Sequence, residues 1–166
     1  MNIDELLVRE RIRDVVYRYA RGVDRRDFDL VRSCYHPDAT DDHGPFKGDV
    51  DAFIVWLAGQ LSRWSVTSHT MSNILIDVRD DRARVETYAV AYHRTLVREG
   101  KPLRDVTAGV RYVDDMTNID GVWAISRRVV VSDWVRVDDV PAGSVDPDDN
   151  YVKPQPFPHD EVYRPL

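Results

Sequence analysis

Between Ile3 and about Val23, apolar residues return at Ile3, Leu6, Leu7, Ile12, Val15, Val16, Tyr19 and Ala20. That spacing puts them on one stripe of a helix, so the pattern predicts an amphipathic α-helix with one buried face. Gly22 is the natural breaker near its end. Asp27 to Tyr35 reads as a short second helix, stopped by His36-Pro37 because proline disfavours the helical backbone just before it. Ala39 to Gly48, rich in Asp and Gly, reads as a loop with at most one short strand. A third helix restarts at Asp49 to Phe53, with Asp49 or Asp51 as its N-cap. Phe53, Ile54, Trp56, Leu57, Leu61 and Trp64 supply its apolar side.

The period then changes to two. Asn73 to Val78 reads as a strand, closed by the turn signal Arg79-Asp80-Asp81. Arg82 to Val97 alternates over its whole length. Ala83, Val85, Thr87, Ala89, Ala91, His93 and Thr95 share one face; Arg84, Glu86, Tyr88, Val90, Tyr92 and Arg94 share the other. Beyond the turn Glu99-Gly100-Lys101-Pro102, Asp105 to Asp114 and Gly121 to Val137 complete the set, joined by a polar link from Asp115 to Asp120. Three helices followed by four strands with hairpin-like links predict an α+β fold. Its expected form is a cone-shaped α+β barrel: a curved antiparallel sheet with the N-terminal helices packed on its concave face. Such a cone suits a small ligand. One domain is expected over residues 1–140. Six of the nine prolines lie between Pro141 and Pro165, so 141–166 reads as an extended tail, either disordered or wrapped on its own subunit or a neighbour.

Composition narrows the partners. A net charge of −6 with scattered arginines argues against a nucleic-acid footprint. The single cysteine, Cys34, rules out an intrachain disulfide and a zinc cluster built on cysteine. No apolar run reaches membrane-spanning length and the acidic, polar start is unlike a signal peptide, so a cytoplasmic protein is expected, with no membrane partner. No His/Asp/Glu set has metal-ligand spacing and no GxGxxG stretch occurs; neither metal nor cofactor is expected.

Two residues carry the candidate chemistry. Asp24 closes the periodic part of the first helix, and His69 lies where helical composition gives way to strand. A carboxylate that orients an imidazole makes a general base near neutral pH. Each also has a plain structural reading. Asp24 can face solvent or pair with Arg21, Arg25 or Arg26, and His69 can be a hydrogen-bonded strand residue. Arg128, on the last strand, can make a sheet-face ion pair with Glu86 or Asp105. His93 falls among alanines and threonines, so it points into the cone if small residues line it. His43, in Asp41-Asp42-His43, could rim the pocket.

The stretches Gly22-Val23-Asp24-Arg25-Arg26-Asp27, Phe46-Lys47-Gly48, His69 and Asp120-Gly121-Val122-Trp123-Ala124-Ile125-Ser126-Arg127-Arg128, in this order of elements, resemble the nuclear transport factor 2-like superfamily. Within it the chain is most similar to the SnoaL-like branch, which holds hexachlorocyclohexane dehydrochlorinase, scytalone dehydratase and bile-acid 7α-dehydratase. The likeness runs from about Leu6 to Val137. It implies catalytic roles for Asp24, which orients His69, for His69 as the base that takes a proton from carbon, and for Arg128 in the pocket wall. Tyr19, five residues before Asp24, matches a tyrosine that donates to a leaving or carbonyl oxygen. The expected activity is a cofactor-independent lyase of the elimination or dehydratase type. Its small hydrophobic, cyclic or aromatic substrate would be bound by Tyr35, Phe53, Trp56, Trp64 and His93. The resemblance leaves open an isomerase or aldol cyclase, and a non-catalytic binding or dioxygenase small-subunit-like assembly module. It also implies a homo-oligomer, most simply a trimer formed through the outer sheet face.

Overall fold

A computed structural model describes residues 2–141 and 150–166. In chain order the elements are α1 (Ile3–Arg25), α2 (Phe28–Ser33), β1 (Tyr35–Asp42), β2 (Lys47–Asp49), α3 (Val50–Leu61), β3 (Trp64–Arg79), β4 (Arg82–Thr95), β5 (Arg104–Ile119) and β6 (Val122–Asp139). A final 3-10 turn spans Glu161–Tyr163. The six strands form one curved sheet in the order β2-β1-β6-β5-β4-β3. This is the α+β architecture expected from the pattern, with two strands more than expected and one parallel pair, β1 against β6.

The extra strands come from the segment read as helix end and loop. Tyr35 opens β1 instead of closing α2, and Pro37 sits where the β1–β6 register shifts between Tyr35 and Thr40. Proline is tolerated there because an irregular pair needs no N–H at that point. Trp64 is likewise not on α3; it begins β3, which runs nine residues earlier than the expected start at Asn73. The apparent start at Asn73 is a register shift between Met71 and Ile74. The polar link expected at Asp115 to Asp120 is mostly strand, turning only at Asp120-Gly121, both with positive φ. Shifts at Gly109/Val110 and Asp115/Met116 place extra residues in β6. Such bulges bend a strand, and here they help curve the sheet around the helices.

Alternation sorts the faces as expected. On β4, Ala83, Val85, Thr87, Ala89 and Ala91 are buried, and they pair with Met116, Asp114, Tyr112, Val110 and Ala108 of β5. The core joins this face to Ile12, Val15, Val16, Tyr19 and Val23 of α1 and to Phe53, Leu57 and Leu61 of α3. Gly22 does not break α1. A Cβ there would lie 2.7 Å from Val31 Cγ2, so glycine lets α1 and α2 pack closely. The helix ends four residues later, at Arg26 in the left-handed region (φ 55°). Of the two N-cap candidates for α3, Asp49 is the cap, accepting from the Ala52 N–H at 2.8 Å. Cys34 is fully buried, and burial raises its thiol to about 11.

The described part of the tail returns to its own chain. The Phe157 N–H donates to the Arg25 carbonyl at 2.6 Å, and Arg25 pairs with Asp160 at 3.1 Å. Residues 142–149 of the expected tail lie outside the described residues.

Candidate active site

The last turn of α1 aims Asp24 at β3. Asp24 Oδ1 lies 2.6 Å from His69 Nδ1, and Oδ2 accepts the His69 backbone N–H at 2.8 Å. One carboxylate therefore grips the ring and the main chain of a residue 45 positions away. The pairing assigns the tautomer: Nδ1 carries the hydrogen donated to Asp24, and the Nε2 lone pair remains for chemistry. Nε2 makes no hydrogen bond among the described residues. The imidazole is 7% exposed.

His93 stands edge-on to His69, with ring centres 5.5 Å apart, and Trp64 stacks on its other neighbour position at 5.1 Å. Thr67 Oγ1 is 2.8 Å from His93 Nδ1. Burial, with a smaller push from His69, lowers His93 to about 4, so it is a neutral polar wall at pH 7. The sequence put His93 inside the cone if small residues line it; the structure sets its ring against His69 and Trp64.

A second cluster is built around Arg128. Its partner is neither Glu86 nor Asp105, which pair with Arg111 and Arg94. Instead Nε and Nη2 make two 2.7 Å bonds to the carboxylate of Asp114, and both side chains are fully buried. Two β-strand residues that face each other across β5 and β6 give this bidentate fit. The guanidinium lies 4.0 Å from the ring centre of Tyr19 and 4.4 Å from that of Tyr112, a cation–π arrangement. Burial alone would lower the Arg128 pKa, but the charge and hydrogen bonds of Asp114, with the neighbouring Tyr35 and Tyr19, together outweigh burial and raise the pKa well above its ordinary value. Burial raises Tyr19 and Tyr35 well above their ordinary values and Tyr112 to about 12, so all three phenols keep their protons. Arg128 Nη1 and Thr87 Oγ1 are buried without a hydrogen-bond partner. Two such donors on the inner face are what a site for a ligand oxygen provides.

The structure thus gathers the expected residues into two groups: Asp24, His69, His93 and Trp64 in one, Tyr19, Tyr35 and Arg128 in the other. Helix α1 sets their separation, since Tyr19 precedes Asp24 by five residues, or about 7.5 Å of axial rise. Phe53 is fully buried and Trp56 partly so, and both pack on His43 rather than on the His69 group. Sequence reasoning missed Asp114 and the bond between Asp41 and His43, 2.6 Å long. The second was signalled by a spacing of two, which puts both side chains on one face of an extended segment. Among the described residues, no group of three or more His, Cys, Asp or Glu side chains converges to hold a metal ion. No helix among them is long and apolar enough to cross a membrane.

The model of the SnoaL-like domain matches residues 4–129. This chain belongs to the SnoaL-like family. The uncharacterized protein Rv2910c of Mycobacterium tuberculosis is 26% identical over 132 residues, covering 78% of this chain and 88% of its own. Among solved structures, a candidate scytalone dehydratase from Novosphingobium aromaticivorans superposes with a TM-score of 0.74 at 24% identity, over 88% of this chain and all of that one. Hexachlorocyclohexane dehydrochlorinase LinA-type3 from Novosphingobium barchaimii gives 0.73 at 20% identity, over 93% of this chain and all of that one. At these identities the likeness establishes the SnoaL-like cone fold, and the chemistry must be argued from the side chains.

Proposed function

We propose that this SnoaL-like protein is a cofactor-independent lyase that eliminates a leaving group from a small hydrophobic, cyclic or aromatic substrate. The observation that carries this reading is the double grip of Asp24 on His69, which leaves one imidazole nitrogen free to accept a proton. Nε2 removes a hydrogen from carbon, and the Asp24 charge offsets the imidazolium that forms. Arg128 Nη1, the Tyr19 hydroxyl and Thr87 Oγ1 are the groups suited to an oxygen on which negative charge develops. A positioned base contributes about 10²–10⁴-fold, and orientation in the cone supplies the remainder.

The test follows hydrogen exchange at carbon. Cyclohexanone and 1-tetralone are incubated with the protein in D₂O, and loss of the α-hydrogen signal is followed by proton NMR. The expected result is exchange faster than in buffer with the native chain and buffer-rate exchange with His69→Ala. Equal exchange by both proteins overturns the base. Exchange without release of any leaving group from β-substituted ketones points to an isomerase or aldol cyclase built on the same base.

A further inference from the structure

His43 stands just beyond β1, in the turn that leads to β2, and the mechanism above makes no use of it. Its setting repeats the construction around His69. Asp41 Oδ1 lies 2.6 Å from His43 Nδ1, while Asp41 Oδ2 accepts the Tyr35 hydroxyl at 2.7 Å. The Asp41 side chain is fully buried. Phe53 stacks against the imidazole at 4.9 Å, and Tyr112 approaches it at 6.2 Å. A carboxylate committed on both oxygens fixes the ring orientation and places hydrogen on Nδ1. Nε2 makes no hydrogen bond among the described residues.

Charge balance gives the ring a purpose. Asp41 is paired in register with Arg128, whose two short bonds already go to Asp114. The buried Asp41 carboxylate is therefore left to the Tyr35 hydroxyl and to His43, a basic side chain bonded to it. Tyr112 adjoins His43 at 6.2 Å and the Arg128 guanidinium at 4.4 Å, so this group borders the Tyr19–Arg128 cluster.

We propose that His43, positioned by Asp41, is the acid that protonates a departing oxygen, so that the substrate class is a ring carrying a hydroxyl β to the acidified carbon and the product lost is water. This deepens the lyase reading above and rests on it. His69 Nε2 takes the proton from carbon, and the released electron pair forms the carbon–carbon double bond. The carbon–oxygen bond breaks with its electrons on oxygen, and the His43 Nε2 hydrogen completes a water molecule. His69 ends protonated and His43 neutral; exchange of one proton with solvent restores both.

The experiment compares two probes that yield the same enone, 3-hydroxycyclohexanone and 3-chlorocyclohexanone, since chloride leaves without needing a proton. His43→Gln is expected to slow loss of water by about 10²-fold or more while changing loss of chloride by less than about threefold. Exchange of the α-hydrogens of cyclohexanone in D₂O is expected to stay at the native rate in this variant. Asp41→Asn is expected to show the same selectivity, and carries the comparison if His43→Gln fails to fold by thermal melting. Equal slowing of both probes, or no slowing of either, overturns the acid role while leaving the base intact. Native protein that does not accelerate exchange at all sinks the lyase reading and this proposal together.

Discussion

Asp24 holds His69 at two points at once, the ring nitrogen at 2.6 Å and the main-chain N–H at 2.8 Å. The grip joins the end of α1 to the middle of β3, so the base is oriented by the same contact that docks helix on sheet. Asp24→Asn keeps the shape but offers one acceptor oxygen for two donors and an amide that cannot offset an imidazolium. Turnover is expected to fall by about 10²–10⁴-fold with little change in KM. Steady-state kinetics, with ¹⁵N NMR of the imidazole to read its tautomer, checks this.

His69→Ala is expected to remove proton exchange at carbon while the chain stays folded. His69 pairs across the strands with the small residue Ala91, so its loss vacates space without unpairing a strand. Far-UV circular dichroism should match the native protein, and exchange should fall to the buffer rate.

The Arg128–Asp114 pair is expected to be costly to break from one side only. Asp114→Ala strands a buried guanidinium and should destabilise the fold by roughly 3–5 kcal/mol, whereas replacing both partners by Met and Leu should recover much of that. Urea unfolding of the single and double variants decides it.

His93 sets a pH dependence. Its folded pKa of about 4 lies below the value of 6.5 for an unconstrained histidine, so between these limits the unfolded chain binds more protons. Stability is therefore expected to fall as pH drops from about 6.5 towards 4, by at most about 1.4 kcal/mol per pH unit. Burial is the main cause, and His93→Gln should flatten the slope in urea titrations across that range.

On the convex face Val90 pairs with Gly109 and Gly109 with Trp134, and Tyr88, Val90 and Trp134 remain 39%, 40% and 49% exposed. A Cβ at Gly109 would sit 2.1 Å from Trp134 Nε1, so glycine lets the indole lie flat across the sheet. An apolar patch of this kind suits a contact between copies. Sedimentation is expected to show a homo-oligomer, a trimer in the simplest case, and Val90→Glu to shift it to monomer.

Local pattern was enough for much of this protein. The stripe from Ile12 to Ala20 defined α1, and the alternation of β4 separated the alanine–threonine face from the tyrosine–arginine face, because burial acts on each residue through its own period. The residues Asp24 and His69 were legible through their resemblance to a family. What local pattern did not determine was who meets whom. Tyr35 and Pro37 carry helix-ending signals, yet pairing with β6 makes them strand, since a neighbouring strand satisfies backbone groups that a helix end would leave open. Trp64 continued the apolar stripe of α3 but belongs to β3. The partner of Arg128 is Asp114, 14 residues back, and not Glu86 or Asp105, because that choice depends on the register between β5 and β6. Asp41 and His43 were adjacent on paper. Only the packing of Phe53, Tyr35 and Tyr112 around them turned an acidic loop into a buried carboxylate holding a half-buried, oriented imidazole, because desolvation by distant parts of the chain decides which polar groups must pair.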